Sequence, residues 1–357
     1  MKINEGLKEL FLKAEIISKL VKVSSDEKMI KVSANSGNIY YTAGIANEEK
    51  EITEFILDKN SINLLKAIEV GEVASVTVKN NKIEIKGGST KATLVQLEDT
   101  VKEVDFENQA MAGFNISNIK KVLYACAVNS PHAILNGISF KTVSGDLEVV
   151  ACDGIRTAIT TIPLTQVPNM EMLANDLEFV ISKNDINKIL SIMQDETYLL
   201  YDKEKNVATF LQGNNMISVN CLTEKYIPYN KILTSIKTPN YILVDKDALY
   251  KNINRCSLSG NLKVSLAMSK VEVDVISKSE TIEIIDTVKI AESNLSENIK
   301  IDFNLKYLND MISSIRSEVE EDEIRLEFNS SILPIRFISE DTQHLLLPVA
   351  DKKKLEK

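Results

Sequence analysis

The sequence predicts an α+β fold made of three repeated domains, each with two helices packed on an antiparallel sheet. Three observations lead to this prediction: a ten-residue segment returns 124 residues further along, an amphipathic helical pattern precedes each copy, and paired alternating runs follow it. With 357 residues, of which 44% are hydrophobic and 26% charged, the chain can bury more than one core. Several similar domains in line are therefore expected.

The repeated segment is KNSINLLKAI at residues 59–68, and it returns as KNDINKILSI at residues 183–192. A fainter third copy, LKYLNDMI, occupies residues 305–312. Each copy spaces its apolar residues three and four apart, which predicts one short amphipathic helix. Three unrelated domains with chance similarity are the alternative, but a match in both identity and context favours a repeat. The predicted domains are residues 1–109, 110–236 and 237–357.

The neighbouring segments complete the repeating unit of helix, strands, helix, strands. Upstream of the copies, helical spacing predicts longer helices at residues 7–22, 117–128 and 246–258, with Asn115 or Ser117 and then Asp245 as N-caps of the last two. Downstream, alternating runs joined by turn residues predict antiparallel hairpins that pair residues 75–78 with 83–85, 198–201 with 207–211, and 324–328 with 333–338. Residues 137–142 and 147–151 predict a further pair. Helices on one face of such sheets give an α+β domain.

The composition excludes several classes of protein. A net charge of −9 argues against a protein that coats nucleic acid by bulk electrostatics, so any DNA contact must be local. The cysteines lack the spacing of a zinc site or disulfide framework, which favours a reducing cytoplasm: Cys126, Cys152, Cys221 and Cys256. The start MKINEGLKEL and the lack of a long apolar run predict neither a signal peptide nor a membrane span. We expect a cytoplasmic protein without a metal or cofactor.

Positive charge concentrates in the predicted helices. A net charge of +7 falls on six helical segments and −16 on the rest of the chain; the segments are residues 6–22, 58–69, 115–129, 182–194, 245–259 and 304–316. Phosphate can then approach only the helical surface, and contact is expected with the DNA backbone, independent of base sequence. The alternative for each residue is that surface helices carry lysine because it is a good helix former. The DNA-facing candidates are Lys8, Lys13, Lys120, Lys121, Lys183, Lys188, Lys251, Arg255 and Arg316.

No pattern in the sequence points to catalysis. Residues 87–91 (GGSTK) lack the spacing of a phosphate-binding loop, and the two histidines, His132 and His344, belong to no metal or nucleophile motif. Asp153 and Gly154 stand between two alternating runs, where a turn needs those residue types. The acidic run at residues 318–323 predicts a solvated approach to a hairpin rather than a metal site. We predict a protein that is not an enzyme.

Five stretches of the second and third domains are similar to a known family. Residues 134–140 (ILNGISF) and 151–158 (ACDGIRTA) resemble segments that typically read L-x-G-[IV] and A-T-D-[GS]-H-R-L-A in that family. Residues 226–233 (YIPYNKIL) are similar to a crossover between domains, and residues 333–336 (LPIR) with 344–349 (HLLLPV) to the final strands. In these features the chain resembles the bacterial DNA sliding clamp, the beta subunit of DNA polymerase III. The first domain resembles that family mainly through the repeat.

The resemblance implies a head-to-tail homodimer whose six similar domains close a ring, with helices lining the hole and sheets outside. Such a ring encircles double-stranded DNA without sequence preference and serves as a processivity factor, an accessory subunit of the polymerase. The implied partners are the replicative DNA polymerase, the clamp loader and other clamp-motif proteins, with no membrane. The alternative is a non-enzymatic interaction scaffold that keeps the clamp fold without closing a ring.

The resemblance also implies a hydrophobic cleft between domains 2 and 3 that receives short peptide motifs. Aliphatic walls bury the apolar anchors of a peptide, and Arg156 and Lys231 are expected to hold its polar ends. The alternative for residues 345–349 is that they form a buried strand, as such a run would in any protein. The matching cleft residues are Leu135, Cys152, Gly154, Ile155, Arg156, Thr157, Ile227, Lys231, Ile232, Leu345, Leu346, Leu347, Pro348 and Val349.

The cleft departs from the family pattern at three places. Ile155 and Thr157 stand where the family has His and Leu. Ala350 replaces the last basic residue of the family ending, and residues 351–357 (DKKKLEK) continue past the usual terminus. We therefore expect a cleft of altered shape and altered peptide preference.

The resemblance places the ring interface at Ala92 and Leu94 on domain 1, and at Ser257 and Leu258 on domain 3. These side chains are smaller than the apolar pairs of the family. Lost apolar burial weakens association by about 25 cal/mol per Å². A less tightly bound dimer is therefore expected.

Overall fold

The computed structural model describes residues 1–68, 74–101, 110–168, 171–174, 177–318, 321–339 and 341–349. The chain folds as two compact units, each made of several stretches of sequence. Unit 1 is Met1–Ile116, Leu164–Ala174 and Asn184–Cys221, and unit 2 is Ser117–Pro163, Asn175–Lys183 and Leu222–Lys357. The predicted middle domain, residues 110–236, contributes to both units. The division into three domains stays a prediction.

The described residues form seven α-helices, three 3-10 turns and twenty-five strands. The helices are α1 (Glu5–Ile17), α2 (Lys59–Ala67), α3 (Lys120–Leu123), α4 (Lys183–Ile192), α5 (Tyr229–Ser235), α6 (Lys246–Cys256) and α7 (Leu305–Glu318). The 3-10 turns are Ile116–Ile119, Ala133–Asn136 and Ser257–Ser259. The strands are β1 (Lys2–Ile3), β2 (Leu20–Ser25), β3 (Met29–Ser36), β4 (Ile39–Ala46), β5 (Glu54–Asp58), β6 (Ala74–Lys79), β7 (Lys82–Gly87), β8 (Thr90–Val95), β9 (Met111–Asn115), β10 (Gly137–Val143), β11 (Asp146–Cys152), β12 (Arg156–Pro163), β13 (Thr165–Gln166), β14 (Glu178–Ser182), β15 (Glu196–Asp202), β16 (Val207–Gln212), β17 (Asn215–Asn220), β18 (Asn240–Asp245), β19 (Lys263–Met268), β20 (Glu272–Lys278), β21 (Glu283–Ser293), β22 (Ile299–Asn304), β23 (Glu323–Phe328), β24 (Ile335–Ser339) and β25 (Thr342–Leu346).

Unit 1 holds two antiparallel sheets, the helices α1 and α2, which pack against each other, and all of α4 except its first residue, Lys183. A four-stranded sheet has the order β1-β6-β7-β8, and a nine-stranded sheet has the order β13-β9-β15-β16-β17-β4-β3-β2-β5. In the nine-stranded sheet, β4 and β17 pair with Tyr41 opposite Ile217. The buried Tyr41 hydroxyl donates a hydrogen bond of 3.0 Å to Asn215 Oδ1, which satisfies the polar group that burial would otherwise leave unpaired.

Unit 2 is built on one antiparallel sheet of twelve strands in the order β14-β10-β11-β12-β25-β24-β23-β18-β21-β20-β19-β22. Helices α6 and α7 pack side by side, and α7 also contacts α3. Their apolar faces join the sheet in one core, in which Phe303, Phe328 and Phe337 are fully buried. Every residue of the predicted cleft belongs to unit 2, on these strands and helices or on the segments that join and follow them.

Several elements confirm the sequence predictions. The repeated segments form α2, α4 and α7, and the hairpins β6/β7, β15/β16, β23/β24 and β10/β11 pair as expected. Helix α6 begins after Asp245, whose carboxylate accepts a hydrogen bond of 2.6 Å from the Ala248 N–H. Residue type alone predicts that N-cap, because Asp satisfies an otherwise unpaired amide of the first turn.

Two helices are shorter than predicted. The first ends at Ile17, and Leu20–Ser25 forms the strand β2 instead, because alternating burial of Val21 and Val23 outweighs the helical spacing. The second is reduced to α3 and the 3-10 turn Ile116–Ile119, and it closes through an Ala125 N–H bond of 3.0 Å to the Val122 carbonyl. This three-residue spacing is the tighter 3-10 pattern. Because α3 starts after Ile119, neither predicted N-cap lies at its start.

Candidate functional site

The sheet of unit 2 has two faces, and strand alternation decides which side chains each face presents. In β12 and β25, Thr157 lies opposite Leu345, and Arg156 lies opposite Leu346. Successive side chains of a strand point to opposite faces, so Thr157 and Leu345 share one face and Arg156 and Leu346 the other. Leu346 is fully buried in the core that α6 and α7 complete, so its face is the helix-covered one. We call the opposite face, with Thr157 and Leu345, the outer face.

A small second core lies on the outer face, where a segment that includes α5 covers β11, β12 and β14. Tyr226 and Tyr229 are buried there against Val150 and Ile159. The Tyr229 hydroxyl donates to the Glu148 carboxylate, and burial together with this carboxylate raises the pKa of Tyr229. The phenol therefore stays protonated and anchors the segment through a charge-assisted hydrogen bond.

An apolar strip adjoins this small core on the outer face; it consists of Leu135, Ile155, Thr157, Ile227, Leu345 and Leu347. Leu135 and Ile227 pack against the small core. Thr157 and Leu345 are buried and form the floor, whereas Ile155 and Leu347 are 40% and 41% exposed and form a rim. The Leu347 N–H donates a 3.0 Å hydrogen bond to the Ile155 carbonyl and joins the two rim residues. The structure thus brings Ile155, Thr157, Leu345 and Leu347 together, and it places Leu135 and Ile227 on the adjoining small core.

The remaining cleft candidates take different positions. Lys231 is exposed on α5. Pro348 and Val349 follow β25, and the Val349 N–H donates a 2.7 Å hydrogen bond to the Asp302 carbonyl on β22. The side chain of Ile232, together with residues 350–357, lies outside the described part of the chain.

Arg156 and Leu346 do not line the outer face. The alternation that places Thr157 on the outer face turns Arg156 toward the helices, where its guanidinium lies over the Tyr307 ring at 4.4 Å from the ring centre. It is an ion-pair partner of Asp153 at 2.9 Å and of Asp310 at 3.0 Å. The Arg156 guanidinium therefore makes its contacts inside unit 2, instead of facing the surface where it was expected to hold the polar end of a peptide.

Cys152 and Gly154 shape the turn between β11 and β12. The Cys152 sulfur accepts hydrogen bonds from the Gly154 N–H at 3.3 Å and from the Thr157 hydroxyl at 3.2 Å. Burial raises the pKa of the Cys152 thiol, so it is a packing and acceptor group rather than a nucleophile. Gly154 adopts a φ of +89°, a conformation that side chains rarely adopt.

A buried polar pair lies under the strip, and the sequence patterns give no sign of it. His344 Nδ1 and the Tyr124 hydroxyl are 2.9 Å apart, and His344 Nε2 lies 3.4 Å from the Ser339 hydroxyl. Burial, with a smaller contribution from Lys121, lowers the pKa of His344 to about 3. The sequence shows this histidine on a strand but cannot show which hydroxyls surround it.

The nine predicted DNA-facing residues differ in their surroundings. In unit 1, Lys8 pairs with Glu5 at 3.1 Å and Lys13 with Glu9 at 2.7 Å, while Lys188 is half-buried. In unit 2, the acidic partners are Asp286 for Arg255 at 2.7 Å and Asp247 for Arg316 at 2.8 Å. Lys121 is buried, Lys120 and Lys183 are half-buried, and Lys251 is exposed. Helices α6 and α7, which carry Lys251, Arg255 and Arg316, pack side by side. The four ion pairs reduce the positive potential that the sequence count suggests.

The predicted interface residues lie on different units. Ala92 and Leu94 belong to β8, the edge strand of the four-stranded sheet, and both are half-buried. Ser257 and Leu258 belong to the 3-10 turn after α6, where Leu258 is 75% exposed. An edge strand and an exposed leucine are both suited to association, since one offers backbone hydrogen bonds and the other apolar area.

Two features are absent from the described residues. None of the helices placed in the structure is long and apolar enough to span a membrane. In the same residues, no group of three or more His, Cys, Asp and Glu side chains is arranged to hold a metal ion.

Comparisons with known proteins agree with this architecture. Residues 236–349 match the family of the C-terminal domain of the DNA polymerase III beta subunit. The beta sliding clamp of Rickettsia bellii is 20% identical over 347 residues, which cover 90% of this chain and 89% of that protein. The sliding clamp structure of Bacillus subtilis aligns with a TM-score of 0.86 at 18% identity and covers 98% of both chains. The Helicobacter pylori beta clamp bound to DNA ligase peptide aligns with a TM-score of 0.84 at 14% identity, over 98% of this chain and 99% of that one.

The fold is that of the DNA sliding clamps, with repeated α+β elements and long antiparallel sheets. The C-terminal domain match and the Rickettsia relative make the chain similar to the beta subunit of the bacterial DNA polymerase III.

Proposed function

We propose that this chain is a DNA sliding clamp, a processivity factor that encircles duplex DNA and tethers the replicative polymerase and other partners. The observation that carries the proposal is the match of residues 236–349 to the C-terminal domain of the beta subunit, within a clamp fold that spans nearly the whole chain. The apolar strip supports the proposal, because two of its residues, Leu345 on β25 and Leu347, belong to the matched C-terminal region.

The proposed mechanism is topological. DNA enclosed by a ring cannot dissociate sideways, so weak contacts with the phosphate backbone are sufficient and still permit sliding. The lysine-bearing helices provide such contacts without base recognition, since lysine is a mobile point charge rather than a bidentate reader of base edges. Ring closure follows from head-to-tail pairing of β8 with the region around Leu258 on a second copy.

Partners dock on the apolar strip through short linear segments. The floor residues Thr157 and Leu345 and the walls Leu135 and Ile227 suit aliphatic or aromatic anchors, which contribute most of the affinity in such interfaces. The related Helicobacter pylori clamp binds a DNA ligase peptide, which makes a peptide the appropriate ligand class. We expect Lys231, which is exposed on α5, to meet an acidic group of that peptide.

In this proposal the chain is an accessory subunit of the polymerase and not itself an enzyme. A clamp loader supplies the ATP-driven opening, and the ring acts on DNA in the cytoplasm. Catalysis resides in the partners that dock on the strip.

The test is retention on DNA of defined topology. Loaded onto nicked circular DNA with a clamp loader, the protein should remain bound through gel filtration and should be released once the DNA is linearised. Equal loss from circular and linear DNA would count against encirclement. In that case sedimentation should show a persistent monomer of 39.8 kDa, as expected for a scaffold that does not close a ring, rather than a species of twice that mass.

A further inference from the structure

We propose that Arg156 is a positioning residue for the apolar strip: it fastens the rim of the strip to helix α7 through Asp153 and Asp310. The affinity of the strip for a partner peptide then depends on residues that the peptide never touches. This inference rests on the proposed docking function and adds to it the part of unit 2 that sets the geometry of the site.

The turn between β11 and β12 is fixed by Asp153. Its Oδ1 atom accepts hydrogen bonds from the Ile155 N–H at 2.9 Å and from the Arg156 N–H at 2.7 Å. The Asp153 N–H donates to the Arg156 carbonyl at 3.1 Å and closes the turn on itself. The outcome is a defined position for Ile155, one of the two exposed rim residues.

Arg156 ties this turn to α7. Its Nε donates to Asp153 Oδ2 at 2.9 Å, and its Nη1 donates to Asp310 Oδ2 at 3.0 Å. The rings of Tyr307 and Tyr124 lie 4.4 Å and 5.5 Å from the guanidinium carbon, and the Arg156 side chain is 8% exposed. A planar guanidinium with several fixed donors can serve two carboxylates at once, which the single ammonium of lysine does poorly.

The turn that Arg156 fastens also positions both rim residues, Ile155 and Leu347. The Ile155 carbonyl accepts the 3.0 Å hydrogen bond from the Leu347 N–H, so a displaced turn moves both exposed rim residues. Without the link to Asp310, the turn can populate several orientations, and a peptide binds only the fraction that presents the rim correctly. Apparent affinity falls in proportion to that fraction.

The first experiment compares Asp310→Asn with Asp247→Asn. The control removes a comparable arginine–aspartate pair that also involves α7, since Asp247 of α6 bonds Arg316 of α7 at 2.8 Å. In contrast to the Arg156 pair, this pair is exposed to solvent. Binding of a fluorescein-labelled DNA ligase peptide is followed by anisotropy on the full-length protein. Asp310→Asn should weaken binding about ten-fold, and Asp247→Asn should leave it unchanged. Arg156→Lys should also weaken binding, because lysine keeps the positive charge but cannot bond both carboxylates as the planar guanidinium does.

A second readout needs no peptide. The chain contains no tryptophan, so Ile155→Trp places a single reporter on the rim. Adding Asp310→Asn should increase the local mobility of this reporter in time-resolved anisotropy, and adding Asp247→Asn should not. Unchanged mobility together with unchanged peptide affinity in Asp310→Asn and Arg156→Lys overturns the inference. If the unsubstituted chain binds no peptide, the docking function fails on its own, and the reporter alone decides on the link.

Discussion

The buried histidine under the apolar strip predicts a specific acid sensitivity. His344 is 1% exposed, contacts the Tyr124 hydroxyl at 2.9 Å, and has a pKa lowered to about 3 by burial and, to a lesser degree, by Lys121. Replacing it with asparagine keeps a hydrogen-bonding group near Tyr124 and removes the titration. We expect the variant to lose less stability than the parent on acidification.

The direction and size of this change in the free energy of unfolding follow from the number of protons that the folded and unfolded states bind. Below pH 6.5, the unfolded chain protonates this imidazole while the folded chain does not, so the unfolded state binds more protons and the free energy of unfolding falls as the pH falls. The loss continues until the pH approaches the folded pKa of about 3. Between pH 7.5 and 5.0, one such histidine contributes a loss of about 2 kcal/mol, at about 1.4 kcal/mol per pH unit once below the unfolded pKa.

The assay is urea unfolding of parent and His344→Asn at several pH values and one protein concentration. The difference between their free energies of unfolding should narrow or reverse by about 2 kcal/mol from pH 7.5 to 5.0. The absolute stabilities need not match, because asparagine leaves a small cavity. With only two histidines in the chain, ¹³C-detected imidazole signals assigned with His132→Gln should show His344 neutral at pH 5.0. Parallel pH profiles of the two proteins, or a His344 signal that titrates near pH 6, would refute the reasoning.

Three further predictions concern the proposed surfaces. Leu135→Asp puts a charge in the strip and should weaken ligase-peptide binding about a hundred-fold, whereas the control Ile332→Asp, at a 48% exposed aliphatic residue, should leave binding unchanged; equal affinities of the two variants would exclude the strip as the docking site. Reversing Lys183 and Lys188 to Glu should shorten retention on circular DNA, with the exposed turn residues Lys203 and Lys205 reversed as control; unchanged retention contradicts a DNA-facing role. Leu258→Asp should shift the solution mass toward 39.8 kDa on dilution, while Val128→Asp, equally exposed at 75%, should leave it unchanged; a stable dimer in Leu258→Asp would exclude that interface.

The repeated segments are predictable because their signals are local. Helices α2, α4 and α7 follow from apolar spacing, and the N-cap at Asp245 follows from one side chain and an amide three residues later. The prediction of the first helix is wrong at its end for a physical reason. Residues 19–22 satisfy a helical and an alternating pattern equally, and only pairing of β2 with β3 and β5 decides between them.

The candidate site is predictable in composition but not in orientation. Cleft residues taken from consecutive positions necessarily include both faces of a strand, so carrying over Arg156 with Thr157, and Leu346 with Leu345, mixes outer and helix-covered side chains. The partners of Arg156 cannot be found from spacing, since Asp310 lies 154 residues away in sequence. Tyr307 and Asp310 do stand three apart on α7 and share a helix face, which is the one local hint of the site.

The two faces of the unit 2 sheet explain how one strand can serve two purposes. A strand with period two presents alternate residues to opposite faces of the sheet. Under the proposed function, a change at Leu345 should therefore act on docking, while a change at Leu346 should act on stability. Arg156 is the exception, because it occupies a core-facing position with a charge and is held by Asp153 of the turn and Asp310 of the helix. An apolar residue there would be at least as stable in many proteins. We therefore infer that the ion pairs serve to fix the geometry of the turn rather than to stabilise the fold. A chain with Arg156→Met should fold but present a disordered rim.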